Sequence, residues 1–296
     1  MEISRGLFMV AGAGLCWATT GLFGTLLFRE GVDPVSLAST RTALAALVFL
    51  LFLFLSNPQK LRIKKGQLLT LLPGSIIGVT FFNLFYMNAI DEIGISTAVV
   101  LLYTAPIFAL LLSRIFLKEP LTPQKIISLF LAFSGVILVV EGFELPVLRE
   151  NSRGIILGLG AGLSFGLLSV LGKASNRRTD PMTVSFYLLF LGALFLSFIR
   201  APWTGVLESA VSPLLLLVLG AMVFISTFLA HYLYLAGLNY LEAGKASIVV
   251  AIEPAVAILL AYIFLGEQLV LLQYVGVLLI LAAVVLLRLS SKRADY

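Results

Sequence analysis

Ten long apolar stretches constrain this chain more than any other feature of its sequence. They lie near residues 6–28, 35–55, 67–89, 93–115, 123–142, 153–173, 182–200, 212–238, 245–265 and 270–289. A helix needs about 20 apolar residues to cross the hydrocarbon core of a bilayer. The stretches are continuous and rich in leucine, whereas the strands of a membrane barrel alternate in polarity. We therefore expect an all-α integral membrane protein with ten transmembrane helices.

Composition excludes the common alternatives. Of the 296 residues, 60% are hydrophobic and 12% are charged, whereas soluble domains are about 45–50% apolar and about 25% charged. A soluble enzyme, a disordered chain and a nucleic-acid partner are therefore not expected. One Cys and one His cannot build a disulfide or a His-based metal centre. We therefore expect no metal and no cofactor. The ATP-binding pattern G-x-x-x-x-G-K-[ST] is also absent from the sequence, so any driving force is expected to be a gradient.

The distribution of Lys and Arg predicts the orientation in the membrane. With ten spans both termini share one side, and the loops on that side carry 15 of the 20 basic residues, against four on the other side. Basic loops face the cytoplasm. We therefore expect a multi-pass protein of the cytoplasmic membrane with both termini inside. The first span has no small-residue cleavage site, so it is expected to be retained.

Four dipeptides predict helix starts, because a polar side chain caps the helix and proline suits its first turn. They are Asp33-Pro34, Thr122-Pro123, Asp180-Pro181 and Ser212-Pro213.

The two halves of the chain match at an offset of 148 residues. Tyr86 falls on Tyr234, Pro106 falls on Pro254, and residues 116–121 fall on residues 264–269. We predict two units, residues 1–148 and 149–296, with five spans each. Because five is odd, the second unit must cross the membrane in the opposite sense. Inverted repeats of this kind suit alternating access, with the substrate site near the midplane between the halves.

The repeated motif resembles a known family. Each copy has an apolar run, a proline, a further apolar run and Phe-Leu-x-Glu-x-Leu, with Glu119 and Glu267 as the acidic residues. With Trp17, Arg41 and Glu253-Pro254, nearly the whole chain resembles the EamA repeat of the drug/metabolite transporter superfamily. The resemblance implies ten helices in a 5+5 inverted arrangement and the transport, often the export, of small metabolites.

The two copies of the motif also differ. The second copy has Gly266 and Gln268 in place of Lys118 and Pro120. Ala105 stands where the second copy has Glu253, so any role of Glu253 is not shared by the two halves.

Two charged residues, Arg41 and Glu253, stand out inside apolar stretches and away from their ends, where a charge costs about 2.5–3.5 kcal/mol on insertion scales. Arg41 is either a structural charge paired with a helix end or carboxylate, or an anchor for an anionic group of the substrate. Glu253 is either neutral and hydrogen-bonded to irregular backbone near Pro254, or an acceptor of a proton or cation in the translocation path.

Each half also presents a polar residue followed three positions later by a tyrosine, on one helix face. These four residues are Asn83, Tyr86, His231 and Tyr234. They predict a midplane pocket with a few polar points, although hydrogen bonding between helices would also explain them. Further candidate lining residues are Trp17, Tyr103 and Thr104.

Glycines recur every fourth residue at Gly154, Gly158, Gly162 and Gly166, which indicates either tight static packing or a sliding surface. The same segment matches the hydrolase pattern G-x-S-x-G around Ser164. A nucleophile elbow needs a strand-to-helix turn, and an uninterrupted helix is predicted here, so the packing interpretation is favoured.

These observations favour a secondary transporter, of the exporting kind by family resemblance, for small organic metabolites such as amino acids. The alternative is a polytopic membrane protein that does not transport, either an intramembrane serine hydrolase or a receptor-like scaffold. The partners expected are a small-molecule solute and the lipid bilayer. Proton coupling and a homodimer are left open by the sequence.

Overall fold

The structure, a computed structural model, describes residues 2–140, 151–199, 212–266 and 268–293. These ranges form helices and contain no strand. The helices are α1 (Glu2–Arg29), α2 (Pro34–Ser56), α3 (Lys65–Leu102), α4 (Ala105–Leu117), α5 (Pro123–Val139), α6 (Ser152–Asn176), α7 (Pro181–Ser197), α8 (Pro213–Gly237), α9 (Ala243–Leu265) and α10 (Leu271–Arg293).

Seven of the helices in the described ranges are long and apolar enough to cross a membrane, and α4, α5 and α7 are shorter apolar helices. The prediction of an all-helical membrane protein is confirmed. The predicted count of ten spans is supported by length and hydropathy for seven.

The boundary between the third and fourth predicted spans, expected near residues 89–93, lies elsewhere in the structure. Helix α3 runs through the expected boundary to Leu102, with a single non-helical residue, Gly94, at φ 74° and ψ 160°. Glycine adopts this backbone conformation without steric cost. The chain leaves helical geometry again at Tyr103 and Thr104, just before Pro106, because proline has no N–H for the preceding turn. The predicted span 93–115 is therefore interrupted in its middle.

Three of the four predicted helix caps are confirmed. The side chains of Asp33, Thr122 and Asp180 each accept a hydrogen bond from a backbone N–H of the helix that follows, at 2.9, 3.4 and 3.1 Å. The fourth prediction was wrong in one respect. Ser212 precedes α8 in extended backbone conformation, but its side chain makes no capping hydrogen bond.

Irregular backbone recurs at the spacing of the sequence repeat. Wide, π-type helical turns occupy Ser113–Leu117 at the end of α4 and Ala261–Leu265 at the end of α9, 148 residues apart. Each ends in a left-handed residue, Lys118 at φ 60° and Gly266 at φ 73°. The register found in the sequence is therefore present in the backbone. Glu267, the acidic residue of the second motif, lies outside the described residues.

Glycines allow α6 to pack closely against α3 and α4. A Cβ atom built on any of the four glycines of the stripe would lie between 2.3 and 2.9 Å from its nearest neighbour on those two helices or, for Gly162, on Thr104 between them. These are Gly154, Gly158, Gly162 and Gly166. The contacts include backbone oxygens of Leu101 and Ala105, which favours the tight-packing interpretation of the stripe.

Replacement of Gly135 by alanine should destabilise the crossing of α5 and α10. A Cβ there would lie 2.7 Å from the backbone oxygen of Gly276 and 3.1 Å from the backbone nitrogen of Ile280. Backbone cannot move aside as a side chain can, so overpacking should cost about 1–3 kcal/mol. We expect a lower thermal unfolding midpoint in detergent. The control is Gly220→Ala, where no atom lies within 4 Å; an equal loss in both variants would contradict this packing.

Candidate functional site

A cavity of about 650 Å³ lies between helices of the two sequence halves. This volume falls within the range of about 300–1,000 Å³ that is usual for ligand pockets. Seven of the nine predicted site residues line it, contributed mainly by α1, α2, α3, α8 and α9. They are Trp17, Arg41, Asn83, Tyr86, Tyr103, His231 and Glu253.

Arg41 projects from α2 into this cavity. Its Nη1 atom lies 3.5 Å from Oγ1 of Thr227 on α8, and its Nη2 atom lies 3.5 Å from Oδ1 of Asn83 on α3. These are long hydrogen bonds to neutral groups. Asn83 is oriented by donating its amide to the backbone oxygen of Val79 at 2.7 Å. The guanidinium is thus positioned by both halves of the chain without being neutralised by them.

Glu253 is placed by an interruption in α9. The helix breaks at Val250 and Ala251 and resumes at Ile252, and Glu253 lies in the first turn of the resumed helix. Its carboxyl group lies close to the hydroxyl of Tyr103, a residue of the equivalent interruption between α3 and α4. The two breaks therefore meet at the cavity.

Arg41 and Glu253 interact electrostatically across the cavity. They do not form a direct ion pair, since none of the ion pairs among the described residues joins them. The cavity therefore presents the guanidinium of Arg41 and the carboxyl group of Glu253, near each other but not in direct contact. A ligand that carries both an anionic and a cationic group can interact with both side chains at once.

An aromatic wall, formed by Trp17, Phe82, Tyr86 and Phe165, lines the same cavity. Trp17 meets Phe165 edge to face at 5.7 Å between ring centroids, and Phe82 stacks on Tyr86 at 5.8 Å. The ring of His231 lies 5.4 Å from Trp17, with Nδ1 donating to the backbone oxygen of Thr227 at 2.9 Å. Pairs of rings at these separations are attractive contacts, so the wall is a continuous apolar surface.

Two predicted residues do not line the cavity. The hydroxyl of Tyr234 lies 2.5 Å from Oγ of Ser169, and its ring packs behind Trp17 at 5.2 Å. Thr104 donates its hydroxyl to the backbone oxygen of Leu101 at 2.6 Å. Tyr234 is 1% exposed, so it supports the aromatic wall from behind instead of facing the cavity.

Three lining residues that contact the predicted ones were not themselves predicted: Phe82, Phe165 and Thr227. Phe165 is the repeat equivalent of Trp17, and that correspondence was the available signal for it. Phe82 lies one helical turn before Tyr86 and therefore shares a helix face with it, and this shared face was the available signal. Thr227 lies one helical turn before His231, but no sequence feature marked it as a lining residue.

The cavity extends towards one end of the molecule only. Its lining reaches Asp33, Asp91, Val140 and Gln273, all at the end that is predicted to be external. The connections between α2 and α3, α4 and α5, α6 and α7, and α8 and α9 are described in full, and none of their residues lines the cavity. The opposite end is therefore closed.

Ser164, the residue of the hydrolase-like pattern, lies in the continuous helix α6 and is 1% exposed. It is not part of the cavity lining. No nucleophile elbow is formed at this serine, which is what the packing interpretation of its flanking glycines predicts.

Both halves of the chain match the same protein-family profile. A sequence profile described as the EamA-like transporter family matches residues 4–141 and, a second time, residues 152–289. The chain belongs to the EamA-like transporter family. The resemblance found in the repeated motif is therefore confirmed, and EamA membership points to a membrane transporter and away from an enzyme.

Several relatives carry transporter names. An "Uncharacterized transporter" of Archaeoglobus fulgidus is 30% identical over 72% of this chain and 75% of its own length. The "Uncharacterized inner membrane transporter YicL" of Salmonella typhimurium is 26% identical over 98% of this chain and 97% of its own. A solved structure described as "Crystal structure of protein" superposes with a TM-score of 0.82 over 99% of both chains at 16% identity, which shows that this EamA fold is shared.

Proposed function

We propose that this protein is a secondary transporter of small zwitterionic metabolites, of which amino acids with apolar or aromatic side chains fit best. Transport would occur by alternating access between two inverted five-helix units, residues 1–148 and 149–296, that together provide ten spans. The paired wide turns and left-handed residues at the ends of α4 and α9 support the repeat. The cavity between the halves supports the position of the substrate site.

The observation that carries this proposal is the separation of Arg41 from Glu253. Among the described residues, no ion pair joins Arg41 or Glu253 to a group of opposite charge. An amino-acid zwitterion would place its carboxylate on Arg41 and its ammonium on Glu253, whose carboxyl group lies close to the hydroxyl of Tyr103. Charge-assisted hydrogen bonds of this kind are about twice as strong as neutral ones.

The aromatic wall adds selectivity for the side chain. The rings of Trp17, Phe82 and Phe165 present an apolar surface beside the two charged groups. An apolar or aromatic side chain would be removed from water there, which favours binding by about 25 cal/mol per Å² of apolar surface. Of the predicted site residues, Tyr234 supports this wall and Thr104 belongs to the helix break.

We also propose a cytoplasmic-membrane location with both termini inside and net export. The excess of basic residues in one set of loops supports the orientation. Export is supported by the family resemblance alone. It is tested by loading cells with a labelled dipeptide and measuring whether expression of this protein accelerates release of the amino acid.

A proton would compete with the substrate at Glu253. The other carboxyl groups that line the cavity, Asp33 and Asp91, lie at its mouth, so Glu253 is the carboxyl group at its centre. It cannot accept a proton and the substrate ammonium simultaneously, and such exclusion couples the two flows in opposite directions.

Counterflow in liposomes tests the function. Vesicles loaded with an unlabelled amino-acid pool should take up labelled phenylalanine when purified protein is present, and an imposed pH gradient should drive accumulation. Vesicles without protein are the control. Absence of counterflow with every member of the amino-acid pool would contradict the proposed substrate class, and counterflow without response to the gradient would contradict proton coupling.

A further inference from the structure

Buried charges join the two halves at the closed end of the molecule. Lys125 of α5 is 1% exposed and pairs with Glu242, the residue that precedes α9. Lys173 of α6 lies 3.6 Å from Glu119, the acidic residue of the first motif, which is 7% exposed. In each pair one charge is buried while its partner is partly exposed, 29% for Glu242 and 19% for Lys173. A buried charge is costly unless further hydrogen bonds satisfy it.

Glu119 caps a helix that belongs to the other half. Its Oε1 atom accepts a hydrogen bond from the backbone N–H of Ala243 at 2.9 Å, and Oε2 accepts one from Gly244 at 3.3 Å. These are N–H groups of the first turn of α9, which have no partner within the helix. Glu242 occupies the capping position but makes no side-chain cap. The cap is therefore supplied from across the interface between the halves.

The backbone of the first motif positions this carboxylate. The wide turn Ser113–Leu117 ends α4, and Lys118 then adopts a left-handed conformation at φ 60°. The next N–H, that of Glu119, donates to the backbone oxygen of Ser113 at 3.2 Å. This sharp reversal directs Glu119 towards α9.

The capped segment of α9 separates this closure from the cavity. Ser247, one turn after Ala243, lines the cavity and is fully buried. Gly244 packs so closely on α4 that a Cβ would lie 2.4 Å from a side-chain carbon of Leu110. Movement of this segment away from α4 would open a path from the cavity to the closed end.

We propose that Glu119, Lys173 and the N–H groups of Ala243 and Gly244 form a latch that keeps the cavity closed at this end. The latch must break for the cavity to open at this end. It joins the halves because the capping carboxylate belongs to the first half and the capped helix start belongs to the second. This inference rests on the proposed transport function, in which the cavity opens alternately at one end of the molecule and at the other.

Thiol accessibility tests the latch without knowledge of the substrate. Cys16 is the only cysteine in the sequence, so Cys16→Ser provides a background without thiols. Ser247→Cys then reports on opening at the latch end, and Asp91→Cys reports on the mouth of the cavity. A membrane-impermeant methanethiosulfonate reagent is added to intact cells and to inside-out vesicles in parallel.

Glu119→Gln should raise labelling of the reporter at position 247 from the latch side by about fivefold or more, since loss of a cap changes a helix equilibrium by about that factor. Labelling at position 91 should fall. Lys173→Gln should act in the same direction. The matched control is Lys60→Gln, which breaks the exposed pair of Lys60 with Asp180 at 3.2 Å, also between the halves, and should change neither reporter.

Opposite changes at the two reporters support the latch, whether or not amino-acid counterflow is observed. Unchanged labelling in both Glu119→Gln and Lys173→Gln overturns it. If Glu119→Gln and Lys173→Gln both increase labelling at positions 247 and 91 together, the variants unfold the protein instead of opening one end, and this result also overturns the latch. Failure of the transport proposal is recognised separately, by wild-type protein that lacks counterflow.

Discussion

Replacement of Arg41 by glutamine should weaken the binding of phenylalanine by about 100-fold, equivalent to about 3 kcal/mol. Arg41 lines the cavity with its guanidinium, and within the described part of the chain it forms no ion pair with a carboxylate. Glutamine keeps the length and polarity of the side chain but offers no charge for the substrate carboxylate. Binding is measured by titration calorimetry on detergent-solubilised protein, followed by counterflow in liposomes.

The ligand panel makes this prediction specific. Phenethylamine lacks the carboxylate, so its weak binding should be the same in wild type and in Arg41→Gln. Arg41→Lys should recover part of the affinity, because lysine restores the charge without the two-pronged geometry. Arg29→Gln, at the exposed end of α1, is the control and should bind as wild type does. An equal loss for phenylalanine and phenethylamine would contradict the assignment of Arg41 to the carboxylate.

Replacement of Glu253 by glutamine should produce the complementary defect. The ammonium of phenylalanine would lose its charged partner, and we expect a decrease in affinity of about 100-fold. The affinity for 3-phenylpropionate, which has no amine, should not decrease. Because the carboxyl group is also the proposed proton acceptor, accumulation driven by a pH gradient should disappear.

Glu30→Gln, in the exposed turn after α1, is the control for a neutralised carboxylate. If Glu253→Gln retains wild-type affinity for phenylalanine, Glu253 is a structural group, as in the alternative interpretation of the sequence, a neutral carboxyl group hydrogen-bonded to irregular backbone near Pro254. The two variants together therefore distinguish a substrate site from a structural pair of charges.

The sequence was sufficient to find the charged centre of the cavity. A charge within an apolar span is rare and costly, so Arg41 and Glu253 are visible without a structure. Their partners are not visible in the same way. Thr227 lies 186 residues from Arg41, and its position beside the guanidinium depends on how α8 packs against α2.

Repeat symmetry predicted the aromatic residues only in part. Tyr86 and Tyr234 are equivalent in sequence, but only Tyr86 lines the cavity. The difference has a physical cause, since Ser169 gives Tyr234 a hydroxyl partner at 2.5 Å, and the repeat equivalent of Ser169 is Gly21, which has no side chain. For Phe82 the helix face that it shares with Tyr86 was the only signal, and it is a weak one in a chain with 22 phenylalanines.

Glu119 illustrates the same limit at the closed end. The repeated motif identified this residue, but its role depends on the first turn of α9, which is 124 residues away. A cap across an interface has no local sequence signature, because the capping box operates within a few residues.

The most direct test of this account is the thermal unfolding midpoint of wild-type protein with three matched ligands at equal concentration: phenylalanine, phenethylamine and 3-phenylpropionate. A ligand that binds only the folded protein raises that midpoint. The account predicts a clear increase with phenylalanine and little or none with either singly charged analogue. Equal increases with all three ligands, or an increase with an analogue but not with phenylalanine, would contradict a cavity built for a zwitterion.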